Sequence, residues 1–181
     1  MSTTWQGKSL EKGKLEILSD HAGAVVGFKT KKGEKVNVKV ASSFISFEQA
    51  ELNLQRELGT GSFEQTVAES KKEWNKVLGK VTIEGGTDEQ MQTFYSCLYR
   101  TACFPQKLYE VDSNKKIVHY SPYTGKILPG YMFGGTGFWD TFRALYPMLN
   151  LFYPSINKEM QEGLINVYKE GGFLPEWSSP G

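Results

Sequence analysis

The spacing of apolar residues changes at Phe47 to a helical one, and that change restricts the fold more than any other feature of the sequence. Ahead of Phe47 the apolar residues alternate or fall in short runs, at Lys14 to Leu18, Ala24 to Phe28 and Lys35 to Val40. Gly23 and the Lys32-Gly33 pair sit between these runs as turns. In the last run Val36, Val38 and Val40 share one face and Asn37 and Lys39 the other, as in an antiparallel strand wetted on one side. Three strands are few, so such a sheet is expected either to pair with further sequence or to lean on the helices C-terminal to it. After Phe47 the spacing becomes three and four. Phe47, Ala50, Leu54 and Leu58 mark a helix that Gly59 stops. Ser62 with Gln65, and Thr87 with Gln90, have the spacing of capping boxes at the heads of two more helices. Strand-patterned sequence leading into helix-patterned sequence places the chain in the α+β class.

The second helix carries Val67, Trp74 and Leu78 and closes at Gly79; Val81 to Gly86 reads as a short strand and turn. The third carries Met91, Phe94, Tyr95, Leu98 and Ala102 and ends by Pro105. Gln106 to Gly130 reads as a long irregular excursion, with His119 and Tyr120 inside it and His119 as a surface residue. The 21 basic and 20 acidic residues are mixed along the chain, for a net charge of +1, so nothing marks a nucleic-acid partner. Lys29 to Lys35 reads as a charged hairpin turn. No apolar run reaches the roughly 18 residues of a spanning helix, and the first ten residues carry no export signal. Cys97 and Cys103, six apart on an expected helix, point about 240° apart around its axis and cannot bridge there. They read as reduced core residues, with neither a metal-ligand set nor a histidine placed for acyl transfer.

The chemistry concentrates in YMFGGTGFWDTFRALYP, Tyr131 to Pro147. Gly134, Gly135 and Gly137 let the backbone turn tightly or approach a ligand, and Trp139 and Asp140 come directly after them. Asp140 stands where a helix is expected to begin, because Phe142, Leu145, Leu149 and Phe152 recur at helical spacing, with Pro147 expected to kink the segment. One reading makes Asp140 a helix cap, Trp139 a core residue and Arg143 a solvated side chain; the other makes the first two a binding surface. A further helix from Asn157 carries Met160, Leu164, Val167 and Tyr168 and ends at Gly171 and Gly172, with Pro175-Glu176-Trp177 beyond it.

The run GFWDTFRALYPMLNLFYP and the later YKEGGFLPEW resemble the signature of glycoside hydrolase family 92, calcium-dependent exo-acting alpha-mannosidases. VKVASSFISFEQAELNLQREL and FEQTVAESKKEWNKVLGKVTIEGGTDEQMQTFYSCLYRTACFP are similar to the same family in the same order, so the resemblance covers roughly residues 34 to 181. It implies that residues 1–46 end an N-terminal β-sandwich domain, 47–80 form a helical connector and 81–181 begin an (α/α)6 catalytic toroid. Such a toroid needs about a dozen helices, so the chain reads as a truncated part. By the resemblance Asp140 matches the motif aspartate that holds hydroxyls of the terminal mannose, and Trp139 forms the wall beside it.

Inverting hydrolysis needs an acid and a base about 6.5–9.5 Å apart across the sugar, and the nearby acids Asp140, Glu170 and Glu176 form no recognisable pair. The resemblance puts the general acid, general base and calcium ligands on segments downstream of this chain. No catalytic residue and no metal ligand is therefore expected here, and the chain alone is expected to be inactive. The parent is expected to be exported, to use calcium, and to remove terminal mannose from glycans with α-1,2 linkage favoured. The alternatives are a carbohydrate-binding module, or a helical fragment that self-associates through its exposed faces.

Overall fold

Helices in this protein begin where a side chain satisfies the otherwise orphaned N–H groups of the first turn. The computed structural model describes residues 2–6 and 9–178. Helix α1 (Phe47–Glu57) starts on Ser46, whose hydroxyl accepts from the Gln49 N–H. Helices α2 (Phe63–Leu78) and α3 (Asp88–Thr101) both start on complete capping boxes. Ser62 Oγ accepts from Gln65 N–H while Gln65 Oε1 accepts from Ser62 N–H, and Thr87 and Gln90 repeat the exchange. Ser62→Ala is expected to lower stability by about 1 kcal/mol in urea unfolding. A midpoint unchanged from the parent would mean that the cap does not stabilise α2.

The chain divides into two units, one ending at Val38 and one beginning at Lys39. In the first, β1 (Ser2–Gln6) is the centre of an antiparallel sheet, flanked by β2 (Ser9–Lys12) and β3 (Ala22–Val26). Thr4 lies opposite Glu11 on one side and Ala24 on the other, and is buried with its hydroxyl donating to Glu11 O. Of the three strands read from the apolar pattern only the middle one forms, starting at Ala22. Lys14 to Leu18 and Lys35 to Val40 are not strands, and Leu15 is 93% exposed. Alternation alone makes no strand: the backbone also needs a partner edge, and neither run pairs with one among the described residues. The turn at Lys32-Gly33 does form, with Gly33 at φ +85° and Glu34 N–H donating to Lys31 O, but no hairpin flanks it.

In the second unit the stretch expected to be irregular is a small sheet. β4 (Gln106–Lys107) leads to the antiparallel meander β5 (Tyr109–Val111), β6 (Ile117–Tyr120) and β7 (Ile127–Pro129). Its first turn is built by Asp112, whose carboxylate accepts from the N–H groups of Asn114 and Lys116 around Lys115 at φ +62°. Polar side chains tie the meander to α1. The Glu110 carboxylate accepts from Ser43 Oγ, Phe44 N–H and Asn53 Nδ2, and Gln49, itself buried, donates to Val111 O. Arg56 donates to the carbonyls of Val111 and Asp112.

The long motif helix expected from Asp140 to Phe152 is instead two helices, α4 (Phe138–Thr141) and α5 (Leu145–Phe152). Proline at 147 crowds the carbonyl four residues back, at Arg143, and has no N–H for it. The helix therefore breaks at residues 142–144 and restarts with Pro147 in its first turn, where no donor is needed. Helix α6 (Pro154–Gly171) likewise opens on proline, three residues before the expected Asn157, and closes on Gly172 at φ +81°. Between α5 and α6 lies the core, Phe133, Leu149 and Met160, packed by Tyr109, Tyr131, Leu145 and Tyr146 among others. Gly163 permits the close approach, since a Cβ there would sit 3.2 Å from the Phe133 ring. Tyr153 at the end of α5 donates to Val77 O, and Lys80 caps Phe152 O, holding α2 beside it. Two smaller expectations also fail: Val81 to Gly86 is not a strand, and Cys97 is exposed while Cys103 lies beyond the end of α3. The result is a mixed α+β fold, as expected.

Candidate functional site

The glycine run is a tight reversal. β8 (Phe133–Gly134) pairs with β4, β9 (Thr136–Gly137) pairs with β10 (Trp177–Ser178), and Gly135, at φ +83°, turns the chain between them. Glycine is needed at 135 for that backbone conformation. The reversal is locked from the chain's far end, because Gly135 N–H donates to Ser178 O (2.6 Å), Phe138 N–H donates to Glu176 O (3.1 Å) and the buried Ser178 hydroxyl donates to Phe133 O (2.9 Å). The pairing brings together two sequence motifs about forty residues apart, a juxtaposition that periodicity cannot show.

Helix α4 leaves this loop with Gly137 as its N-cap, so Asp140 is not the cap. Phe138 turns inward and stacks on Tyr146, with ring centroids 5.7 Å apart and planes 20° apart. Trp139 turns outward and is 82% exposed, which excludes the core reading for it. Asp140 is exposed beside it, and Arg143 is exposed with its guanidinium over the Phe142 ring. An exposed carboxylate next to an exposed indole, both on a backbone fixed by strand pairing, can accept hydrogen bonds from ligand hydroxyls while offering an apolar face.

The other acids lie elsewhere or are already engaged. Glu176 is exposed, its carbonyl holding Phe138. Glu170, near the end of α6, faces His119 of β6, with Nε2 to Oε1 at 3.0 Å. His119 is 0% exposed, not the surface residue expected, and its Nδ1 contacts Gly130 O at 2.9 Å. A carbonyl only accepts, so Nδ1 carries a hydrogen, and the Nε2–Oε1 contact needs a second proton from one partner or the other. Burial, then the Glu170 carboxylate, holds the Tyr123 hydroxyl above the ordinary tyrosine range. Among the described residues no three His, Cys, Asp or Glu side chains gather to hold a metal ion. Calcium takes six to eight oxygens, and no carboxylate cluster that could begin such a set gathers among the described residues. A cleft of about 500 Å³, walled mainly by apolar residues such as Trp74, Val77, Leu149 and Met160, opens elsewhere, and neither Trp139, Asp140 nor Trp177 lines it. Among the described residues no helix is long and apolar enough to cross a membrane.

Residues 49–181 match the Glycosyl hydrolase family 92 catalytic domain. Among solved structures, the chain is similar to the family GH92 inverting mannosidase BT2199 from Bacteroides thetaiotaomicron. The two are 44% identical with a TM-score of 0.89, over 99% of this chain and 24% of that one. The family GH92 alpha-mannosidase BT3965 from the same organism shares the fold at 23% identity and a TM-score of 0.77, over 98% of this chain and 25% of that one. The GH92 family glycosyl hydrolase ccman5 shares it at 24% identity and a TM-score of 0.61, over 77% of this chain and 20% of that one. The chain thus spans a quarter or less of the length of each. No curated protein matches it.

Proposed function

Because the chain belongs to glycosyl hydrolase family 92, we propose that the protein carrying it is an exo-acting alpha-mannosidase that removes terminal mannose from glycans with inversion. The observation that carries this reading is the match along nearly the whole chain to an inverting mannosidase, joined to an exposed Trp139 and Asp140 on a fixed glycine turn. In it, Asp140 accepts hydrogen bonds from two hydroxyls of the non-reducing mannose and Trp139 packs against the sugar's apolar face. Both orient the sugar; neither breaks the bond. Residues 1–46 serve as the end of a β-sandwich domain, 47–80 as a connector and 81–181 as the first hairpins of an (α/α)6 toroid. We place the acid and base, and any calcium, on other parts of the whole protein. We take α-1,2 as the favoured linkage and export as the destination.

Inversion is visible in the first product. Incubated with α-1,2-mannobiose and monitored by proton NMR, the whole protein is expected to release β-mannose first, with the α-anomer growing in only by mutarotation. Release of α-mannose first, or of no mannose from any α-linked disaccharide, overturns the reading.

A further inference from the structure

Gly137 carries the most crowded glycine contact of the motif loop. A Cβ built there would lie 2.5 Å from Trp177 Cε3 and 2.9 Å from Cζ3, with Asp140 Oδ2 at 3.1 Å. The indole of Trp177 and the carboxylate of Asp140 therefore both border the space that a side chain at 137 would fill, and glycine there leaves room for them. Trp177 is nevertheless 56% exposed, so only part of its ring is used in covering that glycine.

Its backbone, in contrast, is held on both sides. Glu176 O and Ser178 O each accept an N–H from the motif loop, Ser178 Oγ is bonded inside, and Trp177 itself pairs with Gly137 in the β9–β10 ladder. A large half-bare aromatic ring on a backbone so constrained, beside an exposed acceptor, has the form of a binding surface and not of a core contact.

We propose that Trp177 is a second aromatic contact of the sugar site, presenting its exposed ring to a C–H face of the pyranose whose hydroxyls Asp140 accepts. This rests on the reading of Asp140 as a mannose contact and adds to it a residue from the chain's other end. The β9–β10 pairing then has a function besides stability: it sets the distance between indole and carboxylate. A ring contact acts on bound ground state and transition state alike, so its loss raises KM more than it lowers kcat.

Steady-state hydrolysis of α-1,2-mannobiose by the whole protein tests it. Trp177→Ala is expected to raise KM about tenfold with kcat changed less, and Trp177→Phe, which keeps a flat face, to recover most of that. Folding is controlled separately by labelling the whole protein with 5-fluorotryptophan. The resonance lost in Trp177→Phe identifies Trp177, and in the parent it is expected to shift on titration with methyl α-mannoside. If Asp140→Asn weakens turnover while Trp177→Ala stays within twofold and the Trp177 resonance does not move, the proposal fails and the function stands. If Asp140→Asn also leaves turnover and sugar binding unchanged, the underlying reading of the site fails with it.

Discussion

Replacing His119 with alanine is expected to destabilise the chain by about 3–5 kcal/mol, the cost of stranding one member of a buried charged or proton-sharing pair. His119 is fully buried, and its ring is the hydrogen-bond partner of Glu170 Oε1. The second oxygen, Glu170 Oε2, is also buried and has no hydrogen-bond partner among the described residues. Removing the imidazole leaves that carboxylate with no protein donor, leaves Gly130 O without its N–H, and opens a hole between β6 and α6. The stranded carboxyl, not the hole, carries most of the cost. Adding Glu170→Leu to His119→Ala is therefore expected to restore part of the lost stability, because a buried ion pair can be replaced by apolar groups more cheaply than it can be halved. Urea unfolding of the parent, both single variants and the double variant measures the coupling. A loss below 1 kcal/mol for His119→Ala, or a double variant as weak as the sum of the singles, would show that the pair is not coupled in this way.

That pair also shows what the sequence can and cannot tell. Its signal is present on both elements. In α6 the apolar stripe runs through Met160, Gly163 and Val167 at spacings of three and four, and the next position on it is Glu170, an acid on a buried face that needs a partner. In β6, His119 falls two residues after Ile117, on the same strand face. Nothing in either period says that the two faces meet, because His119 and Glu170 are about fifty residues apart. Helices are legible where the information is local: the capping boxes at Ser62 and Thr87 lie where their four-residue patterns put them. Strands are legible only in part, since Lys35 to Val40 alternates but has no paired edge, while β5 to β7 pair well yet are too short to show a period. The site divides in the same way. Trp139 and Asp140 stand in one contiguous motif, whereas Trp177 reaches them through strand pairing alone.

Asp140→Ala is expected to lower kcat/KM of the whole protein on α-1,2-mannobiose by about 10²–10⁴-fold, as two charge-assisted hydrogen bonds of ordinary strength would. Its effect on stability is expected to stay within about 0.5 kcal/mol, because the carboxylate is exposed and caps no helix. The bonds that hold α4 in place do not involve it: Thr141 Oγ1 donates to Gly137 O and Phe142 N–H to Phe138 O. Asp140→Asn separates charge from shape. An amide of the same outline keeps one acceptor but turns the other position into a donor, so it is expected to fall between the parent and alanine if two hydroxyls are accepted. Near-parental turnover by the alanine variant would remove Asp140 from the site. A large loss of stability accompanying the loss of turnover would return it to a purely structural role, since then the loop's geometry and not the sugar contact is what the carboxylate maintains.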